Sequence, residues 1–257
     1  MSPRLPPDFL RIPLAHRALH DRAAGRPENS PAAVRAAVAA GYGIEIDLQL
    51  SADGVAMVFH DYGLKRLTGV AGVLRAHTAA DLGRLSLLGS DEGIPTFREI
   101  LDLVGGKVPL LVEIKDQDGR MGPDVGPLET AAAQAARGYE GPLAFMSFNP
   151  HSVAAIAARL PDRPCGLVTS AYRPEDWAPL PAGLCDRLRE APDFETCGAS
   201  FISHEWRDLS RPRVAEIRAT GAPVLCWTVR SAADEALARR IADNVTFEGY
   251  AAVIPAA

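Results

Sequence analysis

The sequence predicts a (β/α)8 barrel, or TIM barrel, that forms a single domain over residues 1–257. Short apolar strands alternate with helical segments along the chain, which is the pattern of βα units around a parallel sheet. A length of 257 residues is typical of one such barrel. An open, doubly wound sheet usually has a glycine-rich turn after its first strand, whereas this chain has His16-Arg17-Ala18 there. We therefore expect the barrel.

Local signals place the elements in order. Ser30 and Pro31 suit the N-cap and first position of a helix that ends near Gly41. Thr96 and Glu99 form a capping box that opens another helix. Further helices are expected to begin near Pro150, Ser210 and Ser231. We place strands at residues 12–15, 43–50, 55–60, 109–115, 143–148, 165–169, 199–203, 223–229 and, from a weaker pattern, 250–254. A long loop is expected at residues 62–78, and residues 171–197 receive no assignment.

Composition excludes several classes of protein. The net charge is −5 and no basic block is present, so nucleic acid is not an expected partner. No apolar run approaches the roughly 20 residues of a membrane-spanning helix, and the first residues show no signal-peptide pattern. The four cysteines have no CxxC spacing, which favours buried thiols over a zinc site or disulfides. We expect a cytoplasmic protein, with homo-oligomerisation left open.

The strand GIEIDLQL at residues 43–50 carries the first chemical signal. Side chains alternate along a strand, so Glu45 and Asp47 lie on one face and the apolar residues on the other. Two adjacent carboxylates on so apolar a strand are expected to hold a cation, share a proton or face water. The alternative is an amphipathic hairpin with one solvated face.

Polar residues at other predicted strand ends favour a site. Glu113 adds a third carboxylate, and oxygen ligands of this kind suit Mg²⁺ or Ca²⁺. Arg17 and Lys115 are suited to an anion such as phosphate, and His16 and His60 to acid–base chemistry near neutral pH. The other four histidines, His20 among them, are expected to be structural. Trp227 is interpreted as barrel core, with a place beside the ligand as the alternative.

Taken together, these motifs resemble the glycerophosphodiester phosphodiesterase family. The matching segments are AHR at residues 15–17, PENS at 27–30, GIEIDLQLSADGVAMVFHD and LKRLTG at 43–69, IPTFREIL and PLLVEIK at 94–115, and weaker matches at SFNP and CWTV. The resemblance implies a (β/α)8 barrel with Glu45, Asp47 and Glu113 as metal ligands. It further implies that His16 and His60 are the general acid and base and that Arg17 and Lys115 contact phosphate. Supporting positions are implied for Glu28, Asn29 and Asp61, and Trp227 matches a residue on the glycerol side.

Three departures from the family pattern carry expectations. Ala18 replaces the glycine of HRG, so the turn after the first strand must accept a Cβ. The loop at residues 20–27 is longer than usual and is expected to overhang the pocket. The chain ends in GYAAVIPAA without the aspartate usual after the last strand, so barrel closure is expected to differ there.

The resemblance implies metal-dependent cleavage of a glycerophosphodiester to glycerol 3-phosphate and an alcohol, with attack by the glycerol 2-hydroxyl. One alternative is lysophospholipase D or phospholipase C-like action on a lipid diester, which an apolar membrane-facing loop would favour. Another is a non-catalytic barrel that binds glycerophosphate or metal. The leaving alcohol, the metal and the order in which the two histidines act are not determined by the sequence.

Overall fold

A closed barrel of eight parallel strands is the framework of the protein. The computed structural model describes residues 3–255. The barrel strands are β1 (Leu14–Ala15), β2 (Gly43–Leu50), β4 (Leu110–Ile114), β5 (Leu143–Ser147), β6 (Cys165–Thr169), β7 (Phe201–Glu205), β8 (Val224–Val229) and β9 (Asn244–Phe247), while β3 (Ala56–Val58) lies outside it. Each barrel strand pairs in parallel with its neighbours, and β1 closes the ring by pairing with both β9 and β2. The predicted single (β/α)8 barrel domain is confirmed.

Ten α-helices are present in the described part of the chain. They are α1 (Pro7–Arg11), α2 (Pro31–Ala40), α3 (Lys65–Thr68), α4 (Ala79–Gly83), α5 (Phe97–Val104), α6 (Pro127–Ala135), α7 (Pro150–Arg159), α8 (Ala182–Arg189), α9 (Pro212–Ala219) and α10 (Ala232–Ala238). The Ser30 side chain caps α2, and Thr96 and Glu99 form the capping box of α5, as predicted. Helix α9 begins at Pro212, two residues after the expected Ser210. No helix of residues 3–255 is long and apolar enough to cross a membrane.

Alternation along the strands separates an outer core from a barrel interior. Ile44, Ile46 and Leu48 belong to the large apolar cluster that also contains residues of α2 and α5. A smaller cluster contains barrel residues such as Leu111 and Phe201 together with Phe9 of α1. The polar residues of β2 are therefore on the face opposite its isoleucines, as the period of two requires.

The long loop expected at residues 62–78 is part of a small structured insertion. Strand β3 pairs antiparallel with β2, and α3, α4 and a 3-10 turn at Leu74–Ala76 follow it. Leu64, Leu74 and Leu82 are buried in a separate apolar cluster with Met57 and Phe59. The insertion thus has its own core on the outside of the barrel.

The prediction of a last strand at residues 250–254 is wrong. The strand is β9, and residues 250–254 have no regular structure. β9 has only four residues, and its polar residues Asn244 and Thr246 are buried together with Val245 and Phe247. It therefore lacks the continuous apolar run that predicts a fully buried strand, and it is too short for its alternation to be a clear signal. The correction matters because Glu248, and not the C-terminal tail, follows the strand that closes the barrel.

Candidate active site

A cavity of about 360 Å³ lies where the barrel strands end. Its lining contains every residue that the sequence predicted as catalytic, metal-binding or substrate-binding: His16, Arg17, Glu45, Asp47, His60, Glu113, Lys115 and Trp227. Carboxyl ends of parallel strands meet at one edge of a barrel, which explains why residues so distant in sequence converge.

Three buried carboxylates line one side of the cavity. Asp47 and Glu113 are register partners on β2 and β4, and Glu45 lies two residues before Asp47 on the same face. One oxygen from each of the three lies within 4.8 Å of the others. Burial, with the charges of Asp47 and Glu113, raises the pKa of Glu45 well above its usual value. Crowded buried carboxylates of this kind fit a divalent cation, because their oxygens are hard ligands and their mutual repulsion needs a positive charge.

Lys115 supplies positive charge to this group. Its Nζ lies 2.9 Å from Asp47 Oδ1 and donates to Glu113 Oε1 at 2.6 Å. Burial alone would lower the pKa of Lys115, but the two carboxylates raise it above its usual value. Burial likewise favours a higher pKa for Asp47, yet Lys115, His60 and Arg17 hold it below its usual range. The lysine therefore stays protonated beside an ionised aspartate.

The turn after β1 directs Arg17 toward the carboxylates. Arg17 and Ala18 both adopt the left-handed region, with φ angles of 52° and 65°. Ala18 stands where the family has glycine, and the turn accommodates its Cβ, as expected. The Arg17 amide donates to Glu45 Oε2 at 3.0 Å. Its Nη1 donates to Glu28 Oε1 at 2.8 Å, and its Nε lies 3.7 Å from Asp47 Oδ2. Arg17 is thus fixed at the edge of the cavity.

Asn29 orients a predicted metal ligand. Its side-chain Nδ2 donates to Asp47 Oδ2 at 2.9 Å, and its backbone N–H donates to the Arg17 carbonyl at 2.9 Å. Asn29 is buried and has a φ of 59°, a conformation that asparagine adopts more readily than most residues. It contacts the site through Asp47, and its supporting role stays a prediction.

Each of the two histidines is held through Nδ1 by a carboxylate that an arginine also binds. His60 Nδ1 lies 2.7 Å from Asp61 Oδ1, and Arg66 Nε donates to Asp61 Oδ2 at 2.5 Å. Arg66 also donates two hydrogen bonds of 2.7 Å to Glu28. Arg66 therefore connects His60 to the carboxylate that holds Arg17.

His16 has the matching arrangement with Glu248. Its Nδ1 lies 2.6 Å from Glu248 Oε2, while Arg230 Nε donates to Glu248 Oε1 at 2.6 Å. The hydrogen bond from His16 and the charge of Arg230 lower the pKa of Glu248. Burial lowers the pKa of His16, and the bond to Glu248 opposes that shift. A neutral His16 with Nδ1 occupied exchanges protons through Nε2.

Sequence reasoning missed Glu248, Arg230 and Arg66. Arg66 lies in the quoted segment LKRLTG, and Arg230 follows β8 directly, so polar residues after strands were the available signal. Glu248 was missed because the last strand was placed too late in the chain. The aspartate usual in the family after the last strand is absent, but an acidic residue, Glu248, directly follows β9, and the barrel closes through the parallel pairing of β9 with β1.

One wall of the cavity is aromatic. Phe148, Trp177, Trp206 and Trp227 all line it. The Phe148 ring centroid lies 5.5 Å from that of Trp227 and 4.9 Å from that of Trp177. Trp227 Nε1 donates to the Ser203 carbonyl at 3.0 Å. Trp227 therefore packs against the barrel core and also lines the cavity, whereas its place beside a ligand stays a prediction.

The loop at residues 20–27 was expected to overhang the pocket. In the structure, none of these residues lines the cavity. Asp21 and Arg26 pair through their backbones and close the loop on itself. His20 was expected to be structural, but its Nε2 lies 3.5 Å from Glu248 Oε2.

Comparison with known proteins gives one consistent family. A sequence model of the glycerophosphoryl diester phosphodiesterase family matches residues 16–246. A glycerophosphodiester phosphodiesterase of Caldanaerobacter subterraneus subsp. tengcongensis is 31% identical over 161 residues, which cover 59% of this chain and 65% of that protein. Another from Bacillus subtilis is 26% identical over 209 residues, covering 74% of this chain and 68% of the relative. A phosphodiesterase of Oleispira antarctica, solved in complex with its product sn-glycerol-3-phosphate, is 25% identical with a TM-score of 0.73 over 93% of both chains.

Proposed function

The chain belongs to the glycerophosphoryl diester phosphodiesterase family, and from this premise we propose that it hydrolyses glycerophosphodiesters to glycerol 3-phosphate and an alcohol. The observation that supports this proposal is the convergence in one cavity of three carboxylates, two histidines, an arginine and a lysine. The product found in the structural relative from Oleispira antarctica is in agreement with it.

Arg17 and Lys115 are the groups proposed to bind the phosphate. Both line the cavity, and both carry a positive charge that the surrounding carboxylates stabilise. A guanidinium presents several N–H donors in one plane, which matches the geometry of phosphate oxygens. Lys115 binds as a point charge. Together they would hold the substrate and stabilise the charge that develops on the phosphoryl oxygens.

Glu45, Asp47 and Glu113 are proposed to hold one divalent cation, Mg²⁺ or Ca²⁺. A bound cation of this kind supplies a Lewis acid that polarises a phosphoryl oxygen. Asn29 keeps the Asp47 carboxylate oriented, which is the usual role of a residue behind a metal ligand.

The two histidines are proposed to move the protons. The glycerol 2-hydroxyl attacks phosphorus, its oxygen forms the new P–O bond, and one histidine accepts its proton. The bond from phosphorus to the leaving alcohol breaks, and the other histidine donates a proton to that oxygen. Water then opens the cyclic phosphate with the two roles reversed. Because Asp61 and Glu248 occupy Nδ1 of His60 and His16, Nε2 is the reacting atom in both.

The lipid-diester alternative needs an apolar surface beside the cavity. Most leucines of the insertion are buried in its own core. Exposed large apolar side chains in its described residues are Tyr62, Val70, Val73 and Leu88, which are 36–48% exposed. None of these four residues lines the cavity, so in the described part of the insertion no apolar surface for a membrane lies beside the proposed substrate site. We therefore propose a small, water-soluble diester as the substrate.

The test uses glycerophosphocholine and its analogue without the 2-hydroxyl, each with EDTA and with added Mg²⁺ or Ca²⁺. We expect metal-dependent release of glycerol 3-phosphate from the parent compound and negligible turnover of the analogue, which still binds. Equal hydrolysis of both would mean that water is the nucleophile. Binding of the parent compound without turnover, under every metal condition, would favour the non-catalytic barrel and refute the proposal.

A further inference from the structure

A second cluster of metal-ligating side chains lies beside the carboxylate group. His16, His20 and Glu248 each offer one ligand atom, and these atoms lie within 4.8 Å of one another. Among the described residues this is the other cluster of three such groups besides Glu45, Asp47 and Glu113.

The donor types of the two clusters differ. Two imidazole nitrogens and one carboxylate oxygen form the ligand set of many zinc sites that keep a fourth position for water. Imidazole suits Zn²⁺, whereas carboxylates and water suit Mg²⁺ and Ca²⁺. The two clusters therefore select different metals by ligand chemistry.

The distances fit a tetrahedral ion after a small adjustment. Ligand atoms at about 2.0–2.1 Å from zinc are about 3.4 Å apart across a tetrahedral angle. His20 Nε2 and Glu248 Oε2 are already 3.5 Å apart. His16 Nδ1 is 2.6 Å from the same oxygen, so this hydrogen bond must open by somewhat less than 1 Å. A zinc ion would replace the proton between them.

The Nε2 atom of His20 lies near Glu248 without a hydrogen-bond partner among the described residues, so it is free to bind a metal ion. Its Nε2 is buried and has no hydrogen-bond partner in the structure, since 3.5 Å exceeds a good N–H···O distance. Its amide donates to the Ala18 carbonyl at 2.9 Å, which fixes the start of the loop. Arg230 binds Glu248 Oε1 and leaves Oε2 directed at both histidines.

We propose that His16, His20 and Glu248 form an inhibitory site for Zn²⁺, distinct from the carboxylate site. Zinc bound at His16 Nδ1 uses the lone pair of that nitrogen, so the one remaining ring proton must be on Nε2. His16 can then no longer accept a proton at the atom that faces the reaction. The charge of Arg17, next in the chain, opposes a cation here, so we expect a weak site that exchanges zinc readily.

The zinc site itself stands on geometry alone, whereas inhibition through it rests on the proposed function of His16. Zinc binding is therefore measured separately from activity, by calorimetry in the presence of excess Ca²⁺ to occupy the carboxylate site. The same protein with Co²⁺ gives a visible absorption spectrum that reports nitrogen ligands. The variants are His20→Ala and His20→Gln, and the matched control is the exposed His151→Ala.

We expect wild type and His151→Ala to bind one zinc ion beyond the carboxylate site. Both His20 variants should bind it at least about 10-fold more weakly, the scale of losing a group that supports a metal. The zinc concentration for half-inhibition, relative to the uninhibited rate of each variant, should rise by the same factor. Zinc affinity and inhibition that are unchanged in folded His20→Gln would overturn the proposal. If zinc binding depends on His20 in a protein without phosphodiesterase activity, the site stands and the proposed function fails.

Discussion

Replacing Glu248 by glutamine tests whether His16 depends on the carboxylate behind it. The substitution keeps the size of the side chain and removes its charge. In the structure, Glu248 Oε2 lies 2.6 Å from His16 Nδ1, and its side chain is 19% exposed. In the proposed reaction His16 takes up a proton, and the carboxylate would stabilise the imidazolium that forms, which an amide cannot do.

The expected magnitude follows from this contact. A hydrogen bond to a charged group contributes about 1.5–3 kcal/mol, and each 1.4 kcal/mol corresponds to about a factor of ten in rate. We therefore expect kcat to fall between about 10-fold and about 150-fold. KM should change little, because Glu248 does not contact the proposed phosphate-binding residues in the structure.

The pH dependence of the rate gives an independent test of the same contact. Glu248 raises the pKa of His16 against the effect of burial. Without the carboxylate the pKa of His16 is lower, so the limb of the profile that reports His16 should move to lower pH, whether His16 is the base or the acid. Glu248→Asp is the matched control, since it keeps the charge at a longer distance and should restore part of the rate.

A double-mutant comparison can refute this reasoning. If Glu248 acts through His16, then Glu248→Gln should have little further effect on a protein that already carries His16→Ala. An equal loss of rate in both backgrounds would show that Glu248 acts elsewhere, as would an unshifted pH profile.

Four further predictions concern the remaining groups. Glu45→Gln should abolish activity. In EDTA its melting temperature should be unchanged or higher, because one of three crowded carboxylates is removed, and added metal should no longer raise it. His16→Ala and His60→Ala should each lower kcat at least about 10²-fold, with the double variant scarcely slower in the same assay. Arg66→Met should lower kcat by up to about 10-fold through the loss of charged hydrogen bonds, and a variant as active as wild type would contradict this. Burial raises the pKa of Cys226 to about 12, and all four thiols are buried. A thiol reagent at pH 8 should therefore label the protein only after denaturation.

Local sequence determined much of the fold and most of the site. Alternation along residues 43–50 was enough to place Glu45 and Asp47 on the face opposite the isoleucines, because side-chain direction in a strand is a local property. Caps such as Ser30 and Thr96 fixed helix starts for the same reason. The barrel topology followed from the order of these elements, since βα units close into a parallel sheet.

Tertiary structure alone decided which side chains meet across the barrel. Glu248 is 232 residues from His16 in sequence, and only the pairing of β1 with β9 brings them together. Arg66 reaches Glu28 because the insertion folds back on β2. The strand β9 is only four residues long and two of these are polar, so it has no apolar run from which its position could be predicted, and the residue after it was missed. Strand period is encoded within a few residues, whereas a contact between two strand ends depends on closure of the whole ring.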